Sequence, residues 1–401
     1  MISLDGAAAD WLTVSEGVGA ADALADVIRR VLGPRHRAPR VAQVVGPGFA
    51  GRAWSARVTR ALRPLGPTLL VHEGPTTPAG VAALARRLSA AGADAVVAVG
   101  GGTVMDAAKA AAALARTGPT DVERVRRVCA TGTVPPDLDA PFQVIAVPTT
   151  AGTGAEATPF ATLWDLDTRR KLSLTGPGVR PRAAVLDPGL LAGLGRRDLA
   201  TGILDALCQG AEAAWSIRST EGSMRWGVSA VRRAAQVLDR VEDGTLDGAA
   251  RLTLQEAAHH SGRAIALAQT SSCHALSYPL TLRLGLPHGH ACGVTLGRLL
   301  RYNRAVSPGD CADPRGPGHV HRVLDTLTAP LGGSPDRAAA RLERFIAACG
   351  LTRYDDLAVD HRAVATDAVS YPRCHDNPRR LDQESLSRLL GERSETEEMC
   401  G

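Results

Sequence analysis

Four short, almost unbroken apolar runs in the first half of the chain constrain its fold more than any other feature. They are VAQVVG (41–46), TLLVHEG (68–74), ADAVVAVGGG (93–102) and FQVIAVPTT (142–150). Between them lie helical patterns: a stretch to about Leu65, VAALARRLSAAG stopped by Gly92, and VMDAAKAAAALA after the glycines. Ahead of them, residues 11–33 read as a short strand and then a helix, ADALADVIRRVLG, closed by Gly33. Strands covered on both faces lose the in-and-out alternation of half-buried ones, and strands that alternate with helices build a parallel sheet. After AAVLDPGLL (183–191) the strand signals stop, and helical patterning runs to the end, broken by the loop SPGDCADPRGPG (307–318). The expectation is an α/β domain with a Rossmann-like parallel sheet over residues 1–187, then an all-α domain over 188–401. A chain of 401 residues is long enough for two such cores.

Several classes of function are excluded by what the chain lacks. Lysine occurs only at 109 and 171, so the formal charge of +5 is carried by arginine. With 3% aromatic residues and no basic patch interleaved with them, nucleic acid is not an expected partner. No run of eighteen apolar residues exists, so no membrane span is expected. The N-terminus MISLDGAAADWLTV lacks the basic-then-apolar plan of a secretory signal. Eight cysteines with no CxxC pair read as reduced thiols in a cytoplasmic protein.

Three stretches carry chemistry. Gly100-Gly101-Gly102-Thr103, followed by Asp106 and Lys109, lies between a strand and an alanine-rich helix. Glycine there lets the backbone approach a pyrophosphate, and the helix start supplies amide donors. It is not the G-x-G-x-x-G fingerprint. Pro148-Thr149-Thr150-Ala151-Gly152-Thr153-Gly154 ends the next strand, with three hydroxyls and two glycines suited to phosphate and nicotinamide contacts. Third, Asp205 and Gln209 sit one helical turn apart, and His274, His288 and His290 follow in a segment made mostly of Ala, Leu, Gly and Ser. A lone histidine is more often a satisfied core or surface residue. Carboxylate, amide and imidazoles converging from separate helices make a divalent metal site.

AVGGGTVMDAAKAAA, VPTTAGTGAEATPFA, DALCQGAEAAWS and PHGHA, in this order, resemble the iron-dependent (group III) alcohol dehydrogenases over nearly the whole chain. The resemblance implies NAD(P)-linked interconversion of small aldehydes and alcohols by a homodimer, with NADPH or NADH and a divalent metal as cofactors. The metal expected is Fe²⁺, with Mn²⁺, Zn²⁺ or Mg²⁺ as alternatives. It places the metal ligands at Asp205, Gln209, His274 and His288, and cofactor contacts at Gly46, Gly101, Gly102, Thr103, Asp106, Thr149, Thr150, Thr153 and Lys171. Gln209 departs from the family's usual histidine, and a neutral, harder amide oxygen favours Fe²⁺, Mn²⁺ or Mg²⁺. Tyr278 stands where a second histidine is usual, so proton transfer is expected through Tyr278 or His290.

Gly46 replaces an aspartate common in NAD-preferring members, which removes a repulsion against a 2′-phosphate and predicts that NADPH is accepted. Asp205-Ala-Leu-Cys-Gln209 with Trp215-Ser216 and Ser219-Thr220-Glu221, then His274-Ala-Leu-Ser-Tyr278 and Pro287-His288-Gly-His290-Ala, resembles the phosphonoacetaldehyde reductase branch of the family, which implies reduction to 2-hydroxyethylphosphonate in phosphonate biosynthesis. Arg263 and Arg283 are then the expected contacts to the phosphonate. The rival readings are another small aldehyde, a maleylacetate-type keto acid, a dehydroquinate synthase-like lyase, or a metal-free binding homologue.

Overall fold

Each of the four apolar runs forms a strand in the computed structural model, which describes residues 11–36, 38–115, 120–131, 134, 142–168 and 170–392. The chain divides into two compact units, Met1–Thr150 with Gly154–Gly193 and Ala151–Thr153 with Leu194–Gly401. Among the described residues, the first holds eight strands: β1 (Thr13–Glu16), β2 (Val41–Val45), β3 (Thr68–Val71), β4 (Ala95–Gly100), β5 (Gln143–Pro148), β6 (Phe160–Asp165), β7 (Arg170–Thr175) and β8 (Ala183–Leu186). Six of them form a wholly parallel sheet in the order β1-β8-β5-β4-β2-β3.

Among the described residues, helices α1 (Leu24–Leu32), α2 (Ser55–Leu62), α3 (Pro78–Ala91), α4 (Gly102–Ala115) and α5 (Val122–Thr131) cover this sheet. Alternate residues of β4 explain why both faces must be covered. Ala95, Val97 and Val99 pack with α1 and α2, whereas Val96 and Ala98 pack with α3, α4 and α5. This is the doubly wound arrangement expected from the sequence, and it puts the chain reversal between β2 and β4. Ligands of such sheets bind beyond the carboxyl ends of the strands at that reversal.

β6 and β7, an antiparallel pair outside the main sheet, were not anticipated. β6 is buried only at alternate positions, and six residues of that pattern give a weak signal beside the continuous runs.

The second unit is helical: α6 (Arg196–Trp215), α7 (Glu221–Glu242), α8 (Gly248–Ala268), α9 (Ser272–Leu284), α10 (His288–Arg304), α11 (Pro317–Thr328), α12 (Pro335–Ala348), α13 (His361–Val369) and α14 (Gln383–Gly391). The expected loop at 307–318 separates α10 from α11. Among the described residues, no helix is long and apolar enough to cross a membrane.

Glycine sets how closely α6 is packed. A Cβ on Gly289 of α10 would lie 2.2 Å from the Thr201 carbonyl oxygen, and one on Gly293 would lie 2.7 Å from Leu204. On another side of α6, a Cβ on Gly202 would lie 1.9 Å from the Ala151 carbonyl oxygen, so the strip Ala151–Thr153 rests on this helix.

Candidate active site

In the helical unit, four donors converge. One ligand atom each from Asp205 on α6, His274 on α9, and His288 and Cys292 on α10 lie within 4.8 Å of one another. Asp205, His274 and Cys292 are almost wholly buried. His274 Nε2 lies 3.4 Å from Asp205 Oδ1, and the two imidazole rings meet edge to face with centroids 5.2 Å apart. Burying a carboxylate, two imidazoles and a thiol together is costly unless they share something that offsets the charge. A divalent cation does this, and oxygen, nitrogen and sulfur donors at such separations are the chemistry it needs.

Helical geometry delivers these side chains. Asp205, Gln209 and Glu212 follow one another at intervals of four and three, so they share one face of α6. His288 opens α10, with Cys292 one turn on, and the neighbouring Gly289 and Gly293 bring that helix against α6.

Glu212, which the sequence reading had not singled out, organises the first turn of α9. Its Oε1 accepts from the backbone N–H groups of Cys273 (2.6 Å) and His274 (3.2 Å) and from Ser271 Oγ (3.3 Å). Those amides are helix-start donors with no partner inside the helix, so a buried carboxylate caps them. Its Oε2 bonds His274 Nδ1. A carboxylate can only accept here, so Nδ1 carries the hydrogen and Nε2 keeps its lone pair for the cluster. The signal was present in the spacing of seven from Asp205, but a glutamate at that spacing can equally face solvent.

Electrostatics follow from these contacts. Burial alone would raise the Asp205 carboxyl, yet the bond to His274 and the charges of His288 and His274 hold it below the usual range. Burial depresses His274, but Cys292, Glu212 and Asp205 outweigh it and hold the imidazolium well above its ordinary value. Burial pushes the Cys292 thiol up, and the two histidines bring it down to about 7. Without an ion, the proton on His274 Nε2 therefore faces Asp205, and a cation would displace that proton while Nδ1 keeps its own.

Gln209 lies beside the cluster. Its Nε2 donates to Asp205 Oδ1 (3.0 Å) and to the Thr153 carbonyl oxygen (3.4 Å), and its Oε1 accepts from Ser261 Oγ (2.8 Å). Tyr278 is buried, its ring parallel to that of His288 at 6.3 Å and edge-on to Tyr371 at 4.7 Å. His290 is also buried, with Nε2 2.8 Å from the Thr352 carbonyl oxygen, so that nitrogen is the protonated one. Burial lowers its pKa.

The two arginines expected to meet a phosphonate have other contacts. Ser261 faces Gln209, so Arg263, two residues on, is turned to another side of α8 and lies over the Trp226 ring at 5.1 Å. Arg283 is half exposed and donates twice to Asp367 Oδ2, at 3.0 and 2.6 Å.

In the sheet unit, the glycine loop begins at the carboxyl end of β4. A Cβ on Gly101 would lie 3.1 Å from Thr150 Oγ1, so this turn and the threonine turn after β5 lie side by side. Thr149 N donates to Gly100 O at 3.0 Å. Gly46, at the end of β2, comes within 3.4 Å of Val104 when a Cβ is added, so it borders the same loop. Gly101, Gly102, Thr103, Thr149 and Thr150 all retain access to solvent.

Asp106 and Lys109 have turned inward. Asp106 Oδ2 accepts from Thr162 N (2.9 Å) and Oδ1 pairs with Lys109 Nζ (3.0 Å). Lys109, fully buried, donates to Ala155 O and Thr158 Oγ1. Lys171 stands on β7 opposite Trp164.

Comparison with known proteins agrees with this geometry. The family model described as iron-containing alcohol dehydrogenase matches residues 13–188, and that of the Fe-containing alcohol dehydrogenase C-terminal region matches 199–393. The phosphonoacetaldehyde reductase of Streptomyces viridochromogenes is 73% identical over 97% of this chain and 98% of its own. Sulfoacetaldehyde reductase from Bifidobacterium kashiwanohense, solved in complex with NAD+, superposes with a TM-score of 0.80 at 25% identity, covering 94% of this chain and 96% of that one. A 1,3-propanediol oxidoreductase shares the fold, with a TM-score of 0.79 at 22% identity over 94% and 97% of the two chains.

Proposed function

The chain belongs to the iron-containing alcohol dehydrogenase family, and from that premise we propose that it reduces phosphonoacetaldehyde to 2-hydroxyethylphosphonate with a nicotinamide coenzyme. The observation that carries this reading is 73% identity, end to end, with a phosphonoacetaldehyde reductase. The likeness to sulfoacetaldehyde reductase adds a second two-carbon aldehyde bearing an anionic head group.

When bound, the metal supplies Lewis-acid polarisation of the aldehyde oxygen and the dihydronicotinamide supplies hydride. Asp205, His274 and His288 would hold the metal, Fe²⁺ in our reading, and Glu212 fixes which nitrogen His274 presents. The glycine loop, with Gly46 beside it, and the turn at Thr149 and Thr150 would hold the coenzyme by backbone donors and hydroxyls. Because Gly46 carries no carboxylate, NADPH is accepted.

Tyr278 is our choice to return the proton through its hydroxyl, because its ring lines the wall beside His288 while His290 has its proton committed to Thr352. A phosphonate dianion needs a cation. We assign Arg373, half-buried on the turn Pro372–Asp376, which packs against α9 and donates to Thr270 Oγ1 at 2.8 Å. We further propose that the enzyme works as a homodimer in the reducing interior of the cell, where its buried thiols stay free.

The test is coenzyme consumption by metal-loaded protein offered phosphonoacetaldehyde, acetaldehyde, propanal and lactaldehyde, with NADPH and NADH in parallel. The expected result is kcat/KM for phosphonoacetaldehyde at least a hundredfold higher, roughly 3 kcal/mol of transition-state discrimination. Arg373→Ala should erase that advantage and spare propanal. Equal rates for all four aldehydes would remove the substrate assignment, and a marked NADH preference would remove the coenzyme assignment.

A further inference from the structure

The family position for a fourth metal ligand is occupied by Gln209, but its amide oxygen is turned from Asp205 to Ser261. The atom facing Asp205 is the nitrogen, which has no lone pair to give. Turning the amide over would set Oε1 against the Asp205 carboxylate and the Thr153 carbonyl, two groups that can only accept. Ser261 holds the other end.

Cys292 is placed differently. Its Sγ lies 3.9 Å from His288 Nε2, and it is one of the four donors gathered within 4.8 Å. Metal–ligand bonds of 2.0–2.3 Å in a tetrahedron set donors about 3.3–3.8 Å apart, so small movements close this set around an ion. The thiol is fully buried on the α10 face that Gly289 and Gly293 bring against α6, so no other role in solvent competes for it.

We propose that Cys292 ligates the metal as a thiolate, giving an Asp, His, His, Cys set, while Gln209 stands behind Asp205 and orients its carboxylate. This inference rests on the metal reading above. It changes the character of the site in two ways. Two anionic ligands cancel the charge of a divalent ion, where a glutamine would leave one positive charge over. A soft sulfur donor also disfavours Mg²⁺ and Mn²⁺ relative to Zn²⁺, Co²⁺ and Fe²⁺, whereas an amide oxygen would suit Mg²⁺ and Mn²⁺ as well as Fe²⁺.

X-ray absorption at the zinc edge of the wild-type, zinc-loaded protein decides the matter without any variant. A sulfur neighbour at about 2.3 Å is expected. The Co²⁺-loaded protein should show a near-ultraviolet thiolate-to-cobalt charge-transfer band. That band should be lost in Cys292→Ser with one equivalent of cobalt still bound, and kept in Gln209→Ala. Metal held by nitrogen and oxygen alone would overturn the thiolate while leaving the metal centre standing, and so would a band that survives Cys292→Ser. A protein that binds no divalent metal would overturn both.

Discussion

At the residue scale, Glu212 shows how a side chain that need not touch the substrate can decide what the site is. It spends one oxygen capping α9 and the other holding His274. Outer partners of this kind set the tautomer and basicity of a ligand histidine. Glu212→Gln should keep the helical content and weaken metal affinity about 10- to 100-fold, as read by competition with a chelator. Unchanged affinity would remove Glu212 from that role. Sequence made Asp205, His274 and His288 legible, because imidazoles and a carboxylate are conspicuous in segments otherwise apolar. Cys292 was not, since a cysteine among Ala, Gly and Val reads as a small core residue, although its spacing of four from His288 was there to be seen. The directions of Arg263 and Arg283 were also hidden, for a position along a helix does not reveal which neighbour a long side chain meets.

At the scale of elements, the contact between α6 and α10 is held by absent side chains. A methyl group at residue 289 would lie 2.2 Å from the Thr201 carbonyl oxygen and 2.9 Å from Asp205 Cβ. Gly289→Ala should therefore cost about 1–3 kcal/mol of stability, by the usual measure of an overpacked core. It should weaken metal binding too, because the helix that moves carries His288. Thermal melts and metal titration check both, with Gly309→Ala, whose added Cβ would meet only Ser307 Oγ at 3.9 Å, as the comparison. A melting point equal to that of the comparison would mean the helices separate at no cost. The parallel strands were legible because burial on both faces leaves continuous apolar runs, while β6, buried at alternate positions, and β7, buried at one, left none.

At the scale of the whole molecule, Asp205, His274 and His288 tie three helices, α6, α9 and α10, to one point. A metal present at a thousand times its dissociation constant adds about 4 kcal/mol to the folded state. Stripping it with a chelator should lower the melting temperature of the helical unit, and adding metal back should restore it. A melting temperature indifferent to chelation would show that the folded chain holds no ion in preference to the unfolded one.

The strip Ala151–Thr153 bears on how such a protein can be recombined. Three residues that lie between two pieces of the sheet unit in sequence belong with the helices, pressed on Gly202 and accepting from Gln209. A gene cut after residue 193 would encode a helical fragment with a bare groove over Gly202 and an amide donor short of its acceptor. Shuffling the helical half onto another sheet would succeed only where the recipient supplies the same three-residue insert. The molecule has two compact units but only one exchangeable gene.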